Sequence, residues 1–267
     1  MAFDLKSVQK GASHLPPRIL IYGVQGIGKG SLAAMAPKPV FINIEDGLDG
    51  VLPNKESLKD YVFDNGGAIL PQVSSYEDIM DQLGSLATQD HDFETLAVDS
   101  LDWMEPLVWR HTCEVNRWAS IEEPGYGRGY VEALSYWADY IDAINYLRNK
   151  KGMIIIQTAH ALAKRFNDPT TEPYDRYQIK LQDKTAGKML EHSDVVLFAN
   201  YRVTTIKEGK DKKDVRAIGG GDRVMFTEER PAFIAKNRYS LPAEMPLDWN
   251  ELAKHIPYFN QKKEAAE

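Results

Sequence analysis

One stretch of this chain carries the residue types that phosphate chemistry needs, at the right spacing. Gly23 to Ser31 reads GVQGIGKGS, directly after the apolar run RILIY and directly before SLAAMA. Its first seven residues fit the GxxxxGK pattern, in which glycines let backbone N–H groups turn inward on a β-phosphate. Lys29 would then lie across the β- and γ-phosphates as a point charge. Gly23, Gln25, Gly26, Ile27, Gly28, Lys29, Gly30 and Ser31 are the candidate nucleotide-binding residues. The pattern asks for Ser or Thr after the lysine, as a hydroxyl ligand to Mg²⁺. Gly30 stands there instead, and Ser31 comes one residue late, about 100° further round the helix and toward the α-phosphate. ATP and Mg²⁺ are the expected ligands. The metal site should be weakened rather than lost, because Mg²⁺ commonly keeps several waters.

Carboxylates follow at the ends of two further apolar runs. Thr95 to Val98 leads into Asp99, a form suited to holding the water shell of Mg²⁺. Ser100, not Glu, comes next, so a general base must be supplied from elsewhere. Glu45, in FINIEDGLDG, is the natural candidate, where it could polarise a water in line with the γ-phosphate. Asp46 competes, but on an extended strand it would point to the opposite face. A third run, GMIIIQTAH, ends in polar residues that include Gln157 and His160.

Together, GVQGIGKGS, FINIEDGLD and LAVDS resemble the RecA-type recombinase and ring-helicase superfamily. By that resemblance Glu45 matches the activating base, Asp99 the metal-associated carboxylate and His160 the γ-phosphate sensor, with Gln157 as the fallback. AFIAKNRYSLP resembles the strand end that sends a Lys and an Arg into a neighbouring subunit's nucleotide. Lys236 and Arg238 sit two apart, so on an extended backbone both leave from one face. The expected catalytic set is therefore Glu45, Lys29, His160, Lys236 and Arg238, with Lys236 and Arg238 acting in trans within a homo-oligomeric ring or filament. The order of these segments, with PKPVFINIEDGLDG, GYGRGY and AKNRYSLP, most resembles small bacteriophage RecA-like P-loop ATPases, AAA-type nucleotide-binding proteins associated with single-strand annealing and homologous recombination. The resemblance spans roughly residues 15 to 245.

It implies single-stranded DNA as a partner, and a single-strand-binding protein as a second. In EEPGYGRGY, Tyr126 and Tyr130 offer stacking faces and Arg128 a phosphate contact. Residues 161 to 189 interleave Lys164, Arg165, Lys180, Lys184 and Lys188 with aromatic residues, a composition that suits unpaired bases. The expected function is an ATPase, stimulated by DNA, that assists annealing or exchange. The alternatives are a nucleotide-switched DNA-binding scaffold that barely hydrolyses because of Gly30, or a small-molecule phosphotransferase.

These residues need a frame that brings strand ends together. Arg18 to Tyr22, Pro39 to Ile44, Thr95 to Val98, Met153 to Thr158, Asp194 to Asn200 and Ala232 to Ala235 read as strands buried on both faces. Lys29 to Met35, Ser75 to Ala87, Leu101 to Trp118 and Gly129 to Asn149 read as helices between them, the last with Tyr130, Leu134, Trp137, Ile141, Ile144 and Leu147 on its core stripe. Alternating β and α elements predict an α/β fold of RecA-like P-loop type: a mostly parallel central sheet flanked by helices, with a β-hairpin region between Tyr201 and Phe226. Residues 1–250 are expected as one core domain and 251–267 as an irregular C-terminal tail whose end, QKKEAAE, frays.

Composition agrees with that frame. The chain has 267 residues, of which 43% are hydrophobic and 27% charged, so it can bury a sizeable core and is not a disordered chain. A net charge of -7 argues against coating nucleic acid with the whole surface, so any polyanion contact must be local. The single Cys113 forms no intrachain disulfide, no apolar stretch nears the roughly 18 residues of a membrane span, and MAFDLKSVQK has no apolar leader core. A soluble protein of the cytoplasm, without a membrane partner, is the expectation.

Overall fold

The computed structural model describes residues 15–48, 50, 56–202, 204–208, 214–218 and 221–264. The N-terminal residues MAFDLKSVQK, the hairpin tip 209–213 and the last three residues of the expected tail lie outside them.

The first half of the chain alternates as its apolar runs require: β1 (Arg18–Gly23), α1 (Lys29–Ala34), β2 (Pro39–Asn43), α2 (Leu58–Asp64), β3 (Ala68–Ile69), α3 (Tyr76–Thr88), β4 (Thr95–Asp99), α4 (Leu101–Asn116) and α5 (Arg128–Lys150). Then come β5 (Ile154–Phe166), β6 (Tyr174–Ile179), α6 (Asp183–His192) and β7 (Val195–Tyr201). The hairpin β8 (Thr204–Glu208) and β9 (Asp214–Ile218) precedes β10 (Arg223–Phe226), β11 (Lys236–Asn237), β12 (Glu244–Pro246), α7 (Trp249–Ala253) and α8 (Pro257–Glu264).

The sheet runs β12-β10-β7-β1-β5-β4-β2-β3. From β7 to β3 every pairing is parallel, whereas β10 and β12 add an antiparallel edge. This is the expected mostly parallel sheet. Because successive strand residues face opposite sides, the strands feed two cores. Leu20, Tyr22, Val98 and Ile155 pack with Ile79 of α3, Val108 of α4 and Trp137 of α5, while Ile19, Ile21, Ala97 and Ile156 pack with Leu32 of α1 and Val62 of α2. Trp137 and Tyr140 are fully buried, as a core stripe requires. A capping box starts α3, in which the Ser75 hydroxyl accepts from the Asp78 N–H and the Asp78 carboxylate accepts from the Ser75 N–H.

Three segments differ from the sequence expectation. Residues 161 to 179, read as a flexible basic loop, are largely an antiparallel hairpin, because β5 continues past the sheet to Phe166 and pairs with β6. Ala232 to Ala235 is not a strand. It makes only isolated bridges through Phe233, and Pro231 beside it has no N–H to give a ladder. The segment from residue 251, expected as a tail, packs into the fold, with Leu252 and Ile256 fully buried beside Trp249 in the second core.

Candidate active site

Register brings the chemistry together at one end of the sheet. Gly23 at the end of β1 lies opposite His160 on β5, and Asn43 at the end of β2 lies opposite Asp99 on β4. The chain then turns after β2, where the Ile44 and Glu45 N–H groups both donate to the Asp99 carbonyl at 2.9 and 3.2 Å. Asp46 adopts a left-handed φ of 58° and its N–H donates to the Asn43 side chain at 3.1 Å. The result is a cleft of about 210 Å³ lined by Gln25, Gly26, Gly28, Lys29, Gly30 and Ser31 on one side and Glu45, Asp99 and His160 on the other, with Arg223 at its edge. Asp46 is exposed and not part of the lining.

Two glycines of the loop have clear steric reasons. A Cβ on Gly23 would lie 2.2 Å from the Ala199 carbonyl oxygen, so only glycine lets β7 pass this closely. Gly28 has φ 108°, a conformation that side chains disfavour. Gly23 and Ile27, expected among the nucleotide contacts, do not line the cleft: Gly23 is pressed against β7, and the Ile27 side chain is fully buried in the second core. Both shape the loop from behind.

Lys29 is only 7% exposed, and its ammonium donates to the Val24 and Gly23 carbonyls at 3.2 and 3.4 Å. Burial pushes its pKa down, against the pull of the Asp99, Glu45 and Asp102 carboxylates. A phosphate tail entering the cleft would replace those two carbonyls as the partner of the ammonium. Asp99 is partly buried, and its burial raises its carboxyl pKa despite the hydroxyl of Thr158, which donates to Oδ1 at 2.5 Å. Its other oxygen, Oδ2, lies 3.1 Å from where a Cβ on Gly30 would sit. A divalent cation is the group that would stabilise such a buried carboxylate. Hard oxygens suit Mg²⁺, and phosphate oxygens with water would complete its shell. Among the described residues no cluster of three or more His, Cys, Asp or Glu could hold a metal unaided.

Glu45 and His160 face each other across the cleft, with Oε1 3.7 Å from Nε2. The Ser100 hydroxyl lies 3.1 Å from Glu45 Oε2 and 3.0 Å from Asp102 Oδ1. Gln157, the alternative sensor, is fully buried, and its carbonyl accepts from the Tyr140 hydroxyl at 2.8 Å, turned into the helix layer.

Lys236 and Arg238 are elsewhere. β11 pairs with Val195 and Val196, at the end of β7 opposite the cleft. The Lys236 ammonium donates to the Leu190 and Glu191 carbonyls at 2.8 and 3.0 Å, and Arg238 pairs with Asp194 at 3.0 Å. The candidate DNA residues also divide. Tyr126 is 100% exposed and Arg128 is exposed at the start of α5, but Tyr130 donates to Glu122 and packs edge-on against Trp109. On the hairpin side, Lys164 pairs with Asp183 at 2.6 Å, Arg165 with Asp175 at 3.6 Å and Lys180 with Asp102 at 3.6 Å. Lys184 and Lys188 lie on α6.

Two residues, one lining the cleft and one behind it, were missed in the sequence. Arg223 opens β10, and a Cβ on Gly28 would lie 3.2 Å from its Nη1. It follows a glycine-rich turn in sequence, where a basic residue reads as solvated. Asp102 lies three residues past Asp99, in the first turn of α4, and that spacing was a usable signal.

The family model described as AAA domain matches residues 15–239. No curated protein matches the chain.

Proposed function

The chain belongs to the AAA domain family, a P-loop nucleotide-binding group, and we propose that it hydrolyses ATP in the Lys29 cleft and couples that cycle to single-stranded DNA. The observation carrying the first half is the convergence of Lys29, Asp99, Glu45 and His160 on one 210 Å³ cleft. Lys29 neutralises the phosphate tail. Asp99, with waters and phosphate oxygens, would hold Mg²⁺, which when bound draws charge off the transferring phosphoryl group. Glu45 takes the proton of the attacking water, and His160 contacts the γ-phosphate edge.

The DNA half is supported by the likeness of GYGRGY and AKNRYSLP to phage recombination ATPases, and by exposed Tyr126 and Arg128, which offer a stacking face and a phosphate contact. Annealing or exchange of strands is the activity this suggests. A homo-oligomer in which Arg238 reaches a neighbour's nucleotide fits the same reading. Arg238 is the freer of the two downstream cations, with a side chain 51% exposed and an Asp194 partner that Arg18 and Arg148 also hold. Gly30, which supplies no metal ligand, favours the second reading of a nucleotide-switched scaffold with little turnover.

ATP turnover by wild type and Lys29→Ala, each with and without single-stranded DNA, tests the proposal. Turnover that rises with DNA and vanishes in Lys29→Ala is expected. Turnover indifferent to DNA removes the DNA partner, and nucleotide-dependent DNA binding without turnover selects the scaffold.

A further inference from the structure

Four side chains close a ring beside the Lys29 cleft. Glu45 Oε1 faces His160 Nε2 at 3.7 Å, and His160 Nδ1 lies 2.9 Å from Asp102 Oδ2. Asp102 Oδ1 lies 3.0 Å from the Ser100 hydroxyl, which is 3.1 Å from Glu45 Oε2. Asp102 also accepts the backbone N–H of His160 at 2.9 Å, so one carboxylate holds both the main chain and the ring of the same residue. Its side chain is 1% exposed and does not line the cleft. Burial alone would raise the Asp102 pKa, but the ring and backbone hydrogen bonds of His160 and the Ser100 hydroxyl hold it below the ordinary carboxylate value.

An ionised carboxylate has only acceptors to offer. The ring nitrogen it touches must therefore carry a hydrogen, which fixes Nδ1 as the donor. The Nε2 edge is then left to face Glu45. Ser100 has a single hydroxyl hydrogen between two carboxylates.

We infer that Asp102 is a positioning residue for hydrolysis: it locks His160 in the Nδ1–H tautomer with Nε2 turned to Glu45. The charged groups around this ring are Glu45, Asp99, Lys29 and Lys180. The Lys180 ammonium is 3.6 Å from Asp102 Oδ2 and its backbone N–H donates to the His160 carbonyl at 2.9 Å, so the root of the β5–β6 hairpin rests on the same two residues.

The inference rests on the hydrolytic reading above, and the experiment separates the two. In ¹⁵N-histidine NMR of the full chain, the His160 signals are identified by their loss in His160→Gln. Wild type is expected to show the Nδ1–H tautomer, Asp102→Asn a mixed or Nε2–H ring, and Asp102→Glu the wild-type tautomer. Asp102→Asn should bind ATP within about threefold of wild type, yet turn over about 10- to 100-fold more slowly, the usual scale for losing the outer partner of a functional histidine. An Nε2–H ring in wild type overturns the inference whether or not Asp102→Asn folds. So does a tautomer unchanged in Asp102→Asn, or a loss of ATP affinity as large as the loss of rate. If wild type shows no turnover at all, the hydrolytic reading falls and with it the role assigned to Asp102, while the tautomer still reports whether Asp102 holds the ring.

Discussion

At the scale of single residues, the cleft has two ends with different chemistry. Glu45, Asp99 and His160 come from strands on one side of β1, and Arg223 comes from beyond β7 on the other. The Arg223 guanidinium makes no ion pair with a described residue. It lies over Gly28, away from the proposed base, where it would meet the nucleoside end of the ligand rather than the γ-phosphate. Arg223→Ala should therefore weaken ATP and ADP binding by a similar factor. A charge-assisted hydrogen bond of about 1.5 to 3 kcal/mol corresponds to roughly 10- to 100-fold. Titration calorimetry with both nucleotides checks this, and a loss confined to ATP would place Arg223 at the γ-phosphate instead. Lys29 was legible in the sequence from the glycines spaced around it, and Glu45, Asp99 and His160 because each closely follows a short apolar run. Arg223 was not legible, because only the antiparallel pairing of β10 with β7 carries it back to the loop.

At the scale of elements, α4 is the link between the cleft and the hairpin region. Its first turn holds Asp102, and one turn later Glu105 accepts the Gln182 N–H at 3.0 and 3.1 Å, fixing the start of α6. Burial pushes the Glu105 pKa up to about 7 against those hydrogen bonds. A carboxyl raised in the fold contributes stability that is full below its unfolded value near 4.5 and lost as pH rises through about 7. Glu105→Gln should remove that dependence. In urea melts it should be more stable than wild type at pH 8 by about 1 to 3 kcal/mol, with little difference at pH 5; an equal offset at both pH values would contradict the assignment. α1, α3, α4, α5 and the buried strands of the parallel sheet were readable from their apolar spacing. β5 beyond His160 was not, since ALAKRF and YDRYQI carry charge on a hairpin in which only Arg176 and Ile179 are buried, too few to impose a pattern. α7 was hidden by its length, because five residues show too little periodicity to separate from a tail.

At the scale of the whole molecule, the C-terminal segment completes the second core. Trp249, Leu252 and Ile256 cover the face of the sheet that also carries α1, so the helix bearing Lys29 depends on them for its backing. Leu252→Ala should cost about 3 kcal/mol, the ordinary price of an emptied leucine site. In a domain of this size that lowers the melting temperature by roughly 6 to 12 °C. A melt unchanged within a degree would show that the segment is dispensable, as a tail would be. No helix among the described residues is long and apolar enough to cross a membrane.

The account depends most on Glu45 acting on water beside a bound triphosphate. Steady-state ATP turnover of Glu45→Gln, read alongside its ATP affinity, tests this most directly. The amide keeps the size of the side chain and removes the base, so affinity should stay near wild type while turnover falls at least about 100-fold. Turnover equal to wild type, with ATP bound as tightly, would contradict it.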